Sequence, residues 1–251
     1  MRLPDFLIAG APRSGTTWLY GLLDRHPDIY MARPVTPEPK FFLVDSLYER
    51  GLAHYSATWF AGAGDARVAG EKSTNYLESA EVASRIARNL PGVKLVFILR
   101  EPADRAYSNY LWSRMNGLET ESFAAALERE TERERALPER FKFARPFSYF
   151  SRGLYADLLK PYFDRFPPGQ IVVLKFEDIV AAPETLAARL HRFLDLDERP
   201  HDALALGALN PSEERGTTFD EGLRRELQAR FAEPNRRLAL LLGPDFDLWA
   251  P

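Results

Sequence analysis

Cysteine is absent from all 251 residues, which excludes disulfides, a thiolate nucleophile and a zinc–thiolate centre. Histidine is scarce: His26, His54, His191 and His201 are scattered without paired ligand spacing, so no metal site is expected. Charge of one sign is lacking too. Thirty-three Lys and Arg against 36 Asp and Glu leave a formal net charge of −3, which argues against a surface coated by nucleic acid and against a long polyanionic acceptor. No apolar run approaches the roughly 18 residues of a membrane span. The start MRLPDFLIAG lacks the basic opening and small-residue cleavage site of a secretion signal. The expectation is a soluble cytoplasmic protein without a transmembrane segment.

A chain of this length buries roughly 70 to 75% of its unfolded surface and needs no staples. The expected organisation is one domain over residues 1–251, with a helical and loop insert around 121–152. Strands and helices alternate without repeats, which predicts a mostly parallel α/β sheet flanked by helices, a P-loop-like three-layer arrangement.

The stretch Phe6 to Arg25, FLIAGAPRSGTTWLYGLLDR, organises the rest. An apolar run over Phe6–Gly10 enters a turn-rich Ala11-Pro12-Arg13-Ser14-Gly15, and helical periodicity follows from Thr16. A loop so placed aims backbone N–H groups and the positive end of a helix dipole at one point, a seat for phosphate or sulfate. Gly10, Gly15 and Thr17 match the G-x-x-x-x-G-K-[ST] pattern, but Thr16 stands where the lysine belongs. The cation is Arg13 instead. A nucleoside triphosphatase needs that lysine and an acidic magnesium ligand at the end of an apolar strand, and neither is evident. The bland alternative is a βα turn that binds nothing.

Downstream, Pro34, Pro37 and Pro39 stiffen a loop carrying Glu38, followed by Phe41-Phe42. A carboxylate beside two apolar rings is a candidate for a raised pKa and general-base work, or else a solvated glutamate beside a hydrophobic anchor. Residues 45 to 66 read as irregular, with Tyr48, Tyr55, Trp59 and Phe60 spaced as on a helix face and expected to pack in the core. Val68–Lys72 reads as a strand, and Lys72 either faces a site at its carboxyl end or pairs at the surface. Ser79–Asn89 reads as an amphipathic helix stopped by Pro91-Gly92.

Val93–Leu99 is the best central strand and delivers Arg100; Pro102 opens the next helix, which carries Ser108. Arg100 and Ser108 together can grip a second phosphate, or serve as an ion-pair partner and a small packing residue. The charges from Glu128 to Glu134 read as a solvated face. Arg140 to Arg152 interleaves cations with aromatics, as an acceptor-facing flap or as a packed insert. Helices are expected over Gly153–Phe166 and Pro183–Leu194, a strand over Gln170–Lys175, and closing helices over Glu221–Leu242 interrupted at Pro234.

Taken together, these motifs resemble the sulfotransferases that use 3′-phosphoadenosine 5′-phosphosulfate (PAPS), along nearly the whole chain. Pro12-Arg13-Ser14-Gly15-Thr16-Thr17-Trp18 is similar to that family's 5′-phosphosulfate site, and Trp18 to an adenine-stacking aromatic of its cytosolic small-molecule branch. Arg100 through Ser108 is similar to its 3′-phosphate site. Glu38-Pro39-Lys40-Phe41-Phe42 and Glu71-Lys72-Ser73-Thr74-Asn75-Tyr76 resemble the heparan sulfate sulfotransferase branch. In that branch the glutamate is the base and the lysine lies by the transferred group. Arg215-Gly216-Thr217 loosely matches the loop that closes over the cofactor. The resemblance implies sulfuryl transfer from PAPS, without a metal, to a hydroxyl or amine of a small-molecule, lipid or glycan acceptor. An ATP-dependent phosphotransferase and a non-catalytic nucleotide-binding protein are the alternatives. Arginine replaces the lysine common in the first loop, and the cysteines of Golgi glycan-modifying relatives are missing.

Overall fold

The computed structural model describes residues 1–198, 218–244, 246, 248 and 249. The chain divides into two compact units, one of Met1–Leu99 with the stretch from Pro161, the other of Arg100–Lys160 with the C-terminal helix.

In the first unit, β1 (Phe6–Gly10), β2 (Ile29–Met31), β3 (Val68–Lys72), β4 (Lys94–Leu99) and β5 (Ile171–Lys175) form one sheet in the order β2-β3-β1-β4-β5. Every pairing is parallel. A parallel sheet is covered on both faces, so its strands must be apolar throughout, and all five residues of FLIAG are buried. Phe6, Ile8, Val96, Ile98, Val172 and Leu174, alternating along their strands, pack against α1 (Thr16–Leu23) and α10 (Pro183–Phe193) through Leu19, Leu22, Leu186 and Leu190. On the opposite face, the Phe97 ring meets that of Tyr162, with centroids 5.1 Å apart. Strand order reverses at β1, because β2 and β3 are laid down on one side of it and β4 and β5 on the other. The carboxyl ends of β1, β3 and β4 therefore flank a switch point, where ligands of α/β sheets bind.

Two short helices, α2 (Asp45–Tyr48) and α3 (Gly51–Trp59), occupy the stretch expected to be irregular. What organises them is tertiary: Tyr55 is fully buried and stacks on Phe41 at 4.3 Å. Helix α4 (Ala80–Asn89) begins where Ser79 Oγ accepts the Val82 N–H at 3.3 Å. A four-residue helix, α9 (Asp178–Ala181), follows β5.

In the second unit, α5 (Pro102–Met115) starts with Pro102 in its first turn and is capped by Glu101, whose carboxylate accepts the Asp104 N–H at 2.8 Å. Helices α6 (Phe123–Glu128) and α7 (Glu130–Arg135) follow, and α8 (Tyr155–Phe163), whose residues from Pro161 belong to the first unit, starts later than expected, after a 3₁₀ turn over Ser151–Gly153. Glu130 corrects the solvated-face reading of this segment: it is buried and accepts the N–H groups of Phe150 (2.6 Å) and Ser151 (2.9 Å), which would otherwise lack a partner at that turn. The expected break at Pro234 is absent. One 22-residue helix, α11 (Glu221–Leu242), runs through it. The missing N–H and ring clash cost about 3 kcal/mol, but Leu227, Phe231, Pro234 and Leu238 form one buried face, and Leu227 and Phe231 enter a core with Ala103, Ala106 and Tyr149.

The aromatic half of the 140–152 segment belongs to this core. Tyr149 is fully buried and Phe147 and Phe150 pack beside it, while the Phe150 ring stacks on Phe231 at 4.4 Å.

Candidate active site

The loop after β1 carries two left-handed positions, Arg13 at φ 67° and Gly15 at φ 85°. A side chain at position 15 would place its Cβ 2.6 Å from Ile179 Cδ1 and 2.8 Å from Phe176 Cδ2, so both backbone and space require glycine there. Arg13 adopts this conformation without being glycine, at a cost of about 1–2 kcal/mol. Backbone N–H groups in such a turn converge on a concavity that suits anions. The first-turn N–H groups of Thr16, Thr17 and Trp18 point along the axis of α1 into the same corner, and Leu19 N bonds back to Gly15 O at 3.1 Å. Ser14 Oγ is buried and has no hydrogen-bond partner among the described residues. An orphaned buried hydroxyl in this turn fits a phosphate or sulfate oxygen. The Trp18 indole itself packs into the core under the sheet and is 4% exposed.

Beside this loop stands the pair that the sequence left open. Lys72 ends β3, opposite Ile8 of β1, and Ser73 N bonds to Ile8 O at 3.1 Å. Lys72 is buried, and its Nζ donates to Glu38 Oε1 at 2.5 Å. The surface-pair reading of Lys72 is thereby replaced. Glu38 accepts further bonds from Thr74 N (3.2 Å) and Thr74 Oγ1 (3.2 Å), which fix the plane of the carboxylate. Thr74 in turn borders the anion loop, since a Cβ on Gly10 would lie 3.3 Å from its carbonyl oxygen.

Phe41 and Phe42 turn away from Glu38 into a cluster with Tyr48, Tyr55 and Tyr76. Burial raises the carboxyl of Glu71, which lies behind the Glu38 and Lys72 pair, to about 7. Glu71, Ser73 and Thr74, quoted above only as part of a motif, carry individual contacts that the sequence did not assign. The signal was strand alternation: with Lys72 toward one face, Glu71 must enter the other.

In the second unit, Arg100 is half-buried and Ser108, on α5, is buried. The Arg100 carbonyl accepts the Tyr155 hydroxyl at 2.9 Å. Asp104 holds Arg224, whose Nε lies at 3.0 Å, and Arg152 donates to Asn109 Oδ1 at 3.1 Å. Arg215, Gly216 and Thr217 lie outside the described residues. Among those described, no group of three or more His, Asp or Glu is placed to hold a metal ion, and no helix is long and apolar enough to cross a membrane.

A parallel sheet with a left-handed turn after its first strand, and a lysine–carboxylate pair at the end of the neighbouring strand, is a layout suited to group transfer from an anionic donor. Residues 3–208 match the sulfotransferase domain family, and the chain belongs to it. Sulfuryl transfer from PAPS is the reaction class of that family. Heparan sulfate glucosamine 3-O-sulfotransferase 3A1 of Mus musculus is 31% identical over 195 residues, 78% of this chain and 46% of the relative. The bifunctional heparan sulfate N-deacetylase/N-sulfotransferase 3 of Homo sapiens is 30% identical over 205 residues, 77% of this chain and 22% of its own length. The chain thus spans less than half the length of these curated relatives. The crystal structure of a sulfotransferase from Alicyclobacillus acidocaldarius superposes with a TM-score of 0.81 at 29% identity, covering 98% of each chain. A mouse sulfotransferase, SULT7A1, solved with PAP shares the fold, with a TM-score of 0.54 at 16% identity over 96% of this chain and 82% of its own.

Proposed function

We propose that residues 1–251 act as one sulfotransferase domain that moves the sulfuryl group of PAPS to a hydroxyl or amine, with Glu38 as general base. The observation that carries this is the bond between Glu38 and Lys72 beside the anion loop: a carboxylate and an ammonium at one strand end. PAPS supplies an electrophilic sulfuryl group on a phosphate leaving group. Arg13, Ser14, Gly15, Thr16, Thr17 and Trp18 are the proposed holders of its 5′ side, by side-chain charge at Arg13 and by N–H groups along the turn. Negative charge that grows there is met by donors already oriented, which is the largest contribution a site of this kind makes. Glu38 takes the acceptor's proton, and Lys72, relieved of its partner as that proton arrives, turns its charge to the sulfuryl oxygens. Arg100 and Ser108 are the proposed contacts of the 3′-phosphate, with Arg215, Gly216 and Thr217 closing over the nucleotide. The glucosamine-directed names of the relatives support a glycan acceptor, within a wider class of small molecules and lipids. A cytoplasmic setting is proposed with it.

Titration of the full chain with PAPS, PAP and magnesium ATP tests the donor. PAPS and PAP should bind in the presence of a chelator, and ATP more weakly; tighter binding of magnesium ATP would overturn the reading. An acceptor screen with labelled PAPS then assigns the nucleophile. A second measurement addresses the 3′ side. Arg100→Ala should weaken PAP by tenfold or more, about 1.4 kcal/mol or above for a lost charged hydrogen bond, and adenosine 5′-phosphate much less. Equal losses for both nucleotides would remove Arg100 from that role.

A further inference from the structure

Behind the Glu38 and Lys72 pair lies a second carboxyl that the proposed reaction does not use. Glu71 occupies the residue before Lys72 on β3 and is fully buried. Its Oε2 accepts the Ser73 hydroxyl at 3.2 Å. Ser73 Oγ, its own hydrogen committed to Glu71, accepts the backbone N–H of Lys40 at 2.9 Å. The Tyr76 hydroxyl, also beside Glu71, accepts the backbone N–H of Phe42 at 3.2 Å. Glu71 Oε1 and the Tyr55 hydroxyl make no hydrogen bond of normal geometry, though the hydroxyl dipole lies near enough to favour the charged carboxylate. Lys40 and Phe42 belong to the loop that presents Glu38, and Lys40 sits in the left-handed region at φ 49°. A non-glycine residue there persists only where its surroundings hold it. Its carbonyl is also engaged, by the N–H groups of Leu43 and Val44 at 3.0 Å each. The Phe42 carbonyl has an independent brace, the Arg85 guanidinium at 3.2 Å.

We infer that Glu71 is the positioning residue of the Glu38 loop: through Ser73 and Tyr76 it orients two acceptors toward the Lys40 and Phe42 amides and so aims Glu38 at Lys72. The role given to Glu38 rests on the sulfuryl-transfer reading, whereas the clamp itself is a property of the protein without donor. Raised to about 7, chiefly by burial, the Glu71 carboxyl is held down by Tyr76, Tyr55 and Ser73 and pushed up further by Glu38, the groups facing it from α3, the strand end and the loop. Neither protonation state can be replaced by an apolar side chain without stranding the two hydroxyls.

Amide hydrogen exchange of the full chain tests this without any acceptor. In Ser73→Ala, the Lys40 amide should exchange about tenfold faster or more, while the Phe42 amide, still held by Tyr76, stays near the parent rate. In Glu71→Ala both amides should speed up, and Glu71→Gln, which keeps an acceptor oxygen, should restore most of the protection. Unchanged protection of Lys40 in Ser73→Ala, or equal loss of protection at Lys40, Phe42 and the amides of β1 and β4 in both variants, would overturn the clamp. A parallel PAP titration of the parent separates the two claims. Failure to bind PAP counts against the donor reading and leaves the exchange result to stand by itself.

Discussion

Glu38→Gln should lower the turnover of sulfuryl transfer by at least about a hundredfold, the low end of what a general base contributes, and leave PAP affinity within about twofold. The substitution is nearly isosteric. An amide oxygen can still accept the Thr74 N–H and hydroxyl that hold Glu38 at 3.2 Å, so the loop has reason to stay where it is. What is removed is the capacity to take a proton, together with the charge opposite Lys72. Lys72 is buried to 6% exposure and has Glu38 as its ion-pair partner. Left unpaired there, it should favour an incoming anion at the anion loop next door, which predicts PAP binding that is kept or slightly tightened rather than lost. The measurement is a paired one on the acceptor identified by the screen: kcat and KM by transfer of labelled sulfate, and PAP binding by calorimetry. Turnover within tenfold of the parent would remove Glu38 as the base, whereas a parallel fall in PAP affinity would make it a structural anchor of the loop.

The elements that place this site were legible where the chain speaks locally. FLIAG running into APRSG gives a buried strand and a turn whose glycine is demanded at φ 85°, and Ser79 before an amphipathic run marks the start of α4. The errors concern residues whose partners the local pattern does not reveal. Phe41 and Phe42 seemed to make an apolar wall for Glu38, yet their partners are Tyr48, Tyr55 and Tyr76, which draw them off. Glu130 looks like one charge of a solvated run and is instead the acceptor for two N–H groups 20 and 21 residues later. Pro234 obeys helix propensity only until Phe231 and Leu238 are seen to share a buried face with it. The sequence names Lys72 and Glu38 as candidates but cannot bring them to 2.5 Å, because they stand 34 positions apart along the chain.

Glu71 has a consequence for the stability of the whole chain, and it has a definite sign. An acid whose pKa rises from 4.5 to about 7 on folding binds its proton more tightly in the native state than in the unfolded one. Between those values the native state holds more protons, so stability falls as pH rises. The contribution is complete below pH 4.5 and lost above pH 7, and the gap corresponds to about 3 kcal/mol, a large share of the 5–15 kcal/mol of a typical domain. Glutamine cannot titrate. The stability of the parent minus that of Glu71→Gln should therefore decline by about 3 kcal/mol between pH 5 and pH 8, with other titrating groups cancelling in the difference. Urea unfolding of both proteins at four pH values and one ionic strength reads this directly. Tyr55→Phe should move the decline to higher pH, because the Tyr55 hydroxyl is among the groups that favour the charged form. A difference curve that stays flat within about 1 kcal/mol, or that climbs with pH, would mean that the carboxyl is ionised in the native state across this range. The Ser73 hydroxyl would then face a full negative charge at every working pH, and the clamp on the Glu38 loop would be insensitive to protons.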